Sequence, residues 1–420
     1  MKNIPQAKPR HIIVSAPPAK AYTLRALLLG ALAEGKTKLR HPLLAEDQVN
    51  MIACLEGLGV KIKTTPDLVE IEGCGGRFLP VKEELFVGDS GVTMNFLISA
   101  LSFAHRPVIL GGTPRLNERP VGEVVEGIRQ LGARVEYLGK EGFPPLKVHP
   151  LGLNGGHTSL HGAVTSQYFS SLVISSALAR GSVTLECLDT MTERPYFDIS
   201  TSMMSTFGVS CTNKDYTQIE IPAPQKYLAR DLEIEGDFSS ASFLFLVAAV
   251  LKSSVTVVGL NRNSVQGDKR FLDLLELMGC RVSWDNDTVT VTGGELRGIE
   301  ADMGDVPDLV PPLAIAAAFA TGESQFTRIG HLVHKESNRV VAMETELAKM
   351  GCISHHDTQT YTIVGNPSGL KGAVIHPYND HRIAMSFAVA GLATGGQTLE
   401  NPECVAKSFP DFWEKLELFY

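Results

Sequence analysis

The feature that most constrains this chain is a phrase that returns six times along its 420 residues. Each copy has an apolar helix, a turn of small residues and glycine, a β-branched strand and a linker. A second helix then closes on L-x-x-(L/M/F)-G-(A/V/C)-x-(V/I). The first three copies run from ALLLGALAEGKTKL into MIACLEGLGVKI, from FLISALSFAHRPVIL into VVEGIRQLGARV, and from VISSALARGSVTL into SMMSTFGVSC. The fourth runs from FLVAAVLKSSVTV into FLDLLELMGCRV and the fifth from AIAAAFATGESQF into AMETELAKMGCI, while the sixth, AVAGLATGGQTL into FWEKLELFY, reaches the last residue. The closing glycines Gly59, Gly132, Gly208, Gly279 and Gly351 stand 73, 76, 71 and 72 residues apart, and a sixth of the chain is 70 residues. Spacing this regular is not a chance outcome.

Within a copy, a glycine just past a helix supplies the left-handed residue that ends it, and the β-branched run that follows the first helix reads as a strand. The repeated unit is therefore α/β, a split β-α-β pattern. Helices such as LAIAAAFA are apolar all round, which predicts a place inside a lobe and argues against a propeller or an open solenoid. Three units per lobe is the simplest grouping: a first lobe over 19–234, and a second made of 235–420 with residues 1–18. The stretch IPAPQKYLARDLEIEGD (221–237) suits a crossover, and the short strand before Pro17 and Pro18 is expected to join the second lobe as another. Substrates are expected between the lobes.

Composition narrows the function. At 44% hydrophobic the chain can bury ordinary cores, and its longest apolar runs, such as ASFLFLVAAVL (241–251), are too short to span a bilayer. No targeting or membrane segment is read, and seven dispersed cysteines without a C-x-x-C pair fit a reducing, cytoplasmic setting. A net charge of −8 argues against nucleic acid as a partner, because that affinity rests on many Lys and Arg contacts to phosphate. Any anion site must be a local cluster.

Such clusters exist: PPAKAYTLRA (17–26), GDSGVTMN (88–95), PRLNERPVG (114–122), AVTSQYF (163–169), IEGDFSSAS (234–242), SVQGD (264–268), DVPDLV (305–310), HKESNR (334–339), YNDHRIAM (378–385) and AKSFPDF (406–412). In this order, and above all through K-E-S-x-R, Y-N-D-H-R-I-A-M, E-R-P-V-G and E-G-D-x-S-S-A-S, the chain resembles the enolpyruvyl transferase family over essentially its whole length. The likeness is greatest to the branch whose acceptor is shikimate 3-phosphate. It implies two lobes, each of three β-α-β-α-β-β units in an inside-out α/β barrel, closing on substrates in the cleft between them. It also implies transfer of the enolpyruvyl group of phosphoenolpyruvate to the 5-hydroxyl of shikimate 3-phosphate, with release of phosphate, in aromatic amino acid biosynthesis. The expected partners are these small anions, no cofactor or metal is called for, and a monomer is expected.

Chemistry and residues agree. A phosphate and a carboxylate want separate cationic clamps, and the planar fork of Arg serves better than Lys. By resemblance Lys20, Gly91, Arg119 and Gln167 hold the phosphate, and Arg339, Arg382 and Lys407 hold the carboxylate of phosphoenolpyruvate. Gly91 stands in a G-D-S-G turn, where backbone N–H groups approach an anion unobstructed. By the same resemblance Asp308 is the expected base toward the acceptor hydroxyl, Glu336 and Lys20 are the candidates for proton transfer at C3, and His381 flanks the same centre. The resemblance also implies Lys20, Arg25, Thr165, Ser166, Gln167, Tyr196, Asp308 and Lys335 as the acceptor set.

The acceptor half departs from the family pattern. Ala21 follows Lys20 where the family has Ser, Thr165 opens a Ser-Ser-Gln triplet, Glu193 replaces a Ser beside the acceptor's phosphate, and His331 replaces an Asn. Asp89, Val92 and Asn95 replace Asn, Thr and Arg in the glycine motif. A related transferase acting on another hydroxylated acceptor therefore stays open. A nucleotide-sugar relative is disfavoured because no Cys lies between Cys74 and Cys187. An RNA 3′-phosphate-processing enzyme of similar repeat fold is disfavoured by charge. His355 and His356, in what reads as a turn, are adjacent and so poorly placed to share a metal ion. Ser239, Ser240 and Ser242 suit both a helix cap and a functional role.

Overall fold

The computed structural model describes residues 1–420, which divide into two compact units: Pro18–Ile234, and Met1–Pro17 with Glu235–Tyr420. The repeat is visible as six small sheets. In the second copy, for example, Glu84–Phe86 pairs parallel with Val108–Gly111, which pairs antiparallel with Leu146–His149, and this last strand pairs antiparallel with Arg134–Tyr137. One helix, Gly91–Ala100, joins the parallel pair, and another, Gly122–Gln130, leads into the hairpin. The order β-α-β-α-β-β follows.

Two sheets borrow a strand across the sequence. His11–Ser15 runs parallel to Ser254–Val258 in the sheet of the fourth copy, and Asp231–Glu233 runs parallel to Lys36–Arg40 in that of the first. The sixth sheet has no hairpin, and the helix Phe412–Glu417 follows its strands. The N-terminal strand Lys2–Ile4 pairs there instead, antiparallel to Gln397–Leu399, so the free edge is covered.

Burial explains the two kinds of helix. Phe238–Leu251 and Val310–Ala318 are buried at every residue, as is His381–Thr394 save its last two, and these three pack on one another. They have no polar face to offer water, so they form the centre of their unit, each buried Leu, Phe or Val worth about 1.5–3 kcal/mol. The second helices, such as Arg270–Met278, bury one stripe and expose the other. Each ends at its glycine with positive φ: Gly59 at 87°, Gly132 at 91°, Gly208 at 86°, Gly279 at 113° and Gly351 at 88°. No helix is long and apolar enough to cross a membrane. His355 and His356 lie on the strand Ile353–His356 rather than in a turn, so their side chains point to opposite faces.

Candidate active site

The polar patches fall at helix N-termini. Lys20, Gly91, Gln167, Arg339 and His381 are each the first residue of a helix, and Asp308 lies just before Val310–Ala318. Unpaired N–H groups and the positive end of the macrodipole favour anions at such positions. Two clusters result, one in each unit.

In the unit Glu235–Tyr420 the centre is Arg339, 1% exposed. Its Nε donates to Asp380 Oδ2 at 2.8 Å, Nη1 to Asp308 Oδ1 at 2.6 Å and Nη2 to Glu336 Oε2 at 2.8 Å. Three carboxylates around a buried guanidinium outweigh the burial that would lower its pKa, and raise it well above the usual value. Arg382 Nη2 meets Asp308 Oδ2 at 2.8 Å, and Lys407 Nζ lies 3.3 Å from Glu336 Oε1. Burial alone would raise the pKa of Asp308, yet Arg382, Arg339 and Lys335 together hold it far below the carboxylate range.

The two sequence-predicted acids and the carboxylate clamp Arg339, Arg382 and Lys407 are thus one ionic network. His381 is buried with Nδ1 3.8 Å from Asp380 Oδ1, and Lys335 and His331 are nearly buried in the segment before the helix Arg339–Lys349. Asp380 is the member that sequence reasoning passed over as a neighbour of His381. It is fully buried, caps the helix by accepting from Arg382 N–H at 3.0 Å, and accepts from Ser337 Oγ at 3.1 Å. An Asp directly before a helical run was the available signal.

In the unit Pro18–Ile234, Lys20 Nζ pairs with Asp47 Oδ2 at 2.6 Å. Asp47 is nearly buried in the first turn of Glu46–Gly57. Nothing local in the sequence ties it to a lysine 27 residues earlier. Gly91 faces Arg119 so closely that a Cβ would stand 2.8 Å from Nη1 and Nη2. Arg119 Nη1 is buried with no hydrogen-bond partner. Gln167 Oε1 accepts from Asn95 Nδ2 at 2.9 Å, so Asn95, standing where the family has Arg, leaves the Gln167 amide N–H group as its second polar end.

The acceptor set behaves differently. Glu193 takes φ of 57°, a left-handed conformation that turns its nearly buried carboxylate onto Thr165, whose Oγ1 donates to Oε2 at 2.5 Å. Ser166 Oγ donates to the Glu193 carbonyl at 2.9 Å. Arg25 is turned inward: Nε donates to Ser200 Oγ and Nη2 to the Tyr196 carbonyl, both at 2.7 Å, and its pKa falls to about 10 through burial. Its guanidinium stands 5.2 Å from the Phe96 ring centroid. These contacts hold the Arg25 guanidinium among Ser200, Tyr196 and Phe96. Asp237, not the serines after it, caps Phe238–Leu251, accepting from Ser239 and Ser240 N–H at 2.8 and 3.1 Å.

Ionised carboxylates meshed with arginines, beside helix N-termini that favour phosphate, define an enzyme that moves a group between small anions. Comparison with known proteins narrows the class. Residues 6–416 match the family model described as EPSP synthase (3-phosphoshikimate 1-carboxyvinyltransferase). A protein of that name from Methanoculleus marisnigri is 42% identical over 98% of both chains, and one from Vibrio cholerae is 37% identical over 96% of this chain and 95% of its own. The solved EPSP synthase of Acinetobacter baumannii superposes with a TM-score of 0.83 at 26% identity, covering 99% of this chain and 97% of that one. The chain belongs to the EPSP synthase family.

Proposed function

We propose that this chain transfers the enolpyruvyl group of phosphoenolpyruvate to the 5-hydroxyl of shikimate 3-phosphate and releases phosphate. The single observation that carries the reading is the network in which Asp308 is held by Arg339 and Arg382 while Glu336 bridges Arg339 and Lys407. Asp308 accepts the proton of the acceptor hydroxyl as its oxygen bonds to C2. Glu336 or Lys20 delivers a proton to C3, giving a tetrahedral intermediate that carries both phosphate and acceptor on C2. Loss of a proton from the C3 methyl group then re-forms the double bond and expels phosphate.

The arginines tune this sequence. An Asp308 paired with two guanidiniums is ionised but a weak base. When Arg339 and Arg382 turn to the carboxylate of phosphoenolpyruvate, Asp308 loses cationic neighbours and gains basicity at the moment it is needed. Lys20, Arg119, Gln167 and the N–H groups at Gly91 take the phosphate, whose developing charge on departure they stabilise. The free state of all seven cysteines supports a cytoplasmic setting, and a monomer is proposed.

Glu193 favours a second reading, in which the acceptor is a different hydroxylated anion, since its carboxylate holds the Thr165 hydroxyl that a phosphate would use. Phosphate release from phosphoenolpyruvate, measured with and without shikimate 3-phosphate and with the product weighed by mass spectrometry, decides between them. Release with an enolpyruvyl adduct supports the first reading. Binding of phosphoenolpyruvate without release supports the second.

A further inference from the structure

We infer that Glu346, a buried carboxylate outside the set that meets substrate, is a positioning residue that holds the turn carrying Asp380, His381 and Arg382. Glu346 shares the helix Arg339–Lys349 with Arg339. The two stand seven residues apart, about two helical turns and hence on one face. Both reach the segment before His381–Thr394. Arg339 meets it at Asp380; Glu346 accepts from the Tyr378 hydroxyl on Oε1 at 2.9 Å and from the His376 backbone N–H on Oε2 at 3.1 Å.

Glu346 is fully buried, and Lys349 Nζ at 2.6 Å from Oε2 supplies the opposite charge that a carboxylate needs there. The turn needs an anchor because Tyr378 and Asn379 both have φ of 55°. Two successive left-handed residues with side chains are disfavoured, and persist only where the surroundings fix them. The His376 ring packs edge-on to Tyr378 with centroids 4.7 Å apart.

On the other side Asn379 Oδ1 accepts from Asn401 Nδ2 at 2.9 Å, and Asn401 precedes the short helix Pro402–Lys407 that ends at Lys407. The turn therefore stands between Glu346 and three groups assigned to chemistry: His381, Arg382 and Lys407. Releasing the anchor lets the turn relax, and all three lose register together. This inference rests on the proposal that Arg382 and Lys407 hold the carboxylate of phosphoenolpyruvate.

Two variants keep the test clear of misfolding. Tyr378→Phe removes one hydroxyl, and Glu346→Gln keeps shape while removing the charge paired with Lys349 and leaving one acceptor oxygen for the two donors, the Tyr378 hydroxyl and the His376 N–H. Both are expected to raise the KM for phosphoenolpyruvate about fivefold or more and to lower kcat, as small misplacements at a reacting centre do. The KM for shikimate 3-phosphate should move by less than about twofold, because the side chains of the Thr165 to Tyr196 region are untouched. Unchanged KM and kcat in both variants, or parallel losses for both substrates that follow a falling Tm, overturn the inference. Arg382→Ala, measured alongside, separates the two readings. An unchanged phosphoenolpyruvate KM there overturns the clamp, and the kcat of Glu346→Gln, which passes through His381, then decides for or against the anchor.

Discussion

Asp308 sits under opposing influences, and their balance fixes its pH behaviour. Its folded pKa is depressed, so its ion pairs add stability that is fully present above the unfolded value of about 3.9 and fades as pH falls below it toward the folded value. Urea unfolding of the wild type should therefore weaken below about pH 4, and Asp308→Asn should flatten that slope. The same variant should lose about 100-fold or more in kcat, measured by phosphate release, if Asp308 takes the hydroxyl proton. Gly91 offers a sharper steric test. A methyl group there meets the Arg119 guanidinium at 2.8 Å, so Gly91→Ala should push that fork aside and raise the KM for phosphoenolpyruvate about tenfold, with the Tm little changed. Arg119, Arg339, Arg382 and Glu336 stood out in the sequence because each sits in an uncommon motif, and Asp308 because its D-V-P-D stretch matches the family pattern. Asp47, Asn95 and the inward turn of Arg25 were not, since partners far along the chain define them.

At the scale of elements, ends matter more than middles. The glycines that close the second helices were readable from spacing alone, because only glycine takes positive φ there without strain. Gly279→Ala would place a Cβ 2.5 Å from the Glu295 carbonyl, in addition to a φ of 113°, and should cost about 1–3 kcal/mol of stability by denaturant titration while leaving KM values intact. Asp237→Ala removes the side-chain cap that accepts from Ser239 and Ser240 N–H in the fully buried helix Phe238–Leu251, whose Phe238 N–H is met separately by Gln266 Oε1, and should cost about 1 kcal/mol on the same assay. In sequence the serines after Asp237 were open to both a capping and a functional role. Geometry chose Asp237.

For the whole molecule, the sixfold repeat set in advance what could fold: one α/β unit, copied, with helices too apolar to face water, while its full β-α-β-α-β-β order came from the family resemblance. Joint saturation by both substrates should raise the Tm more than either alone, each ligand at about 100 times its Kd adding about 2.7 kcal/mol, and a flat Tm would contradict the proposed binding. Periodicity, apolar helices, closing glycines and charged motifs are local properties, and so the sequence by itself determined the unit, its number and the chemical character of the site. Only the tertiary structure decided which carboxylate meets which arginine, that Glu193 takes a left-handed turn onto Thr165, and that Lys2–Ile4 pairs along Gln397–Leu399 in the sixth sheet. Those outcomes join residues tens to hundreds of positions apart, and a pairing of that kind is fixed by packing and hydrogen-bond geometry, which no short stretch of sequence encodes.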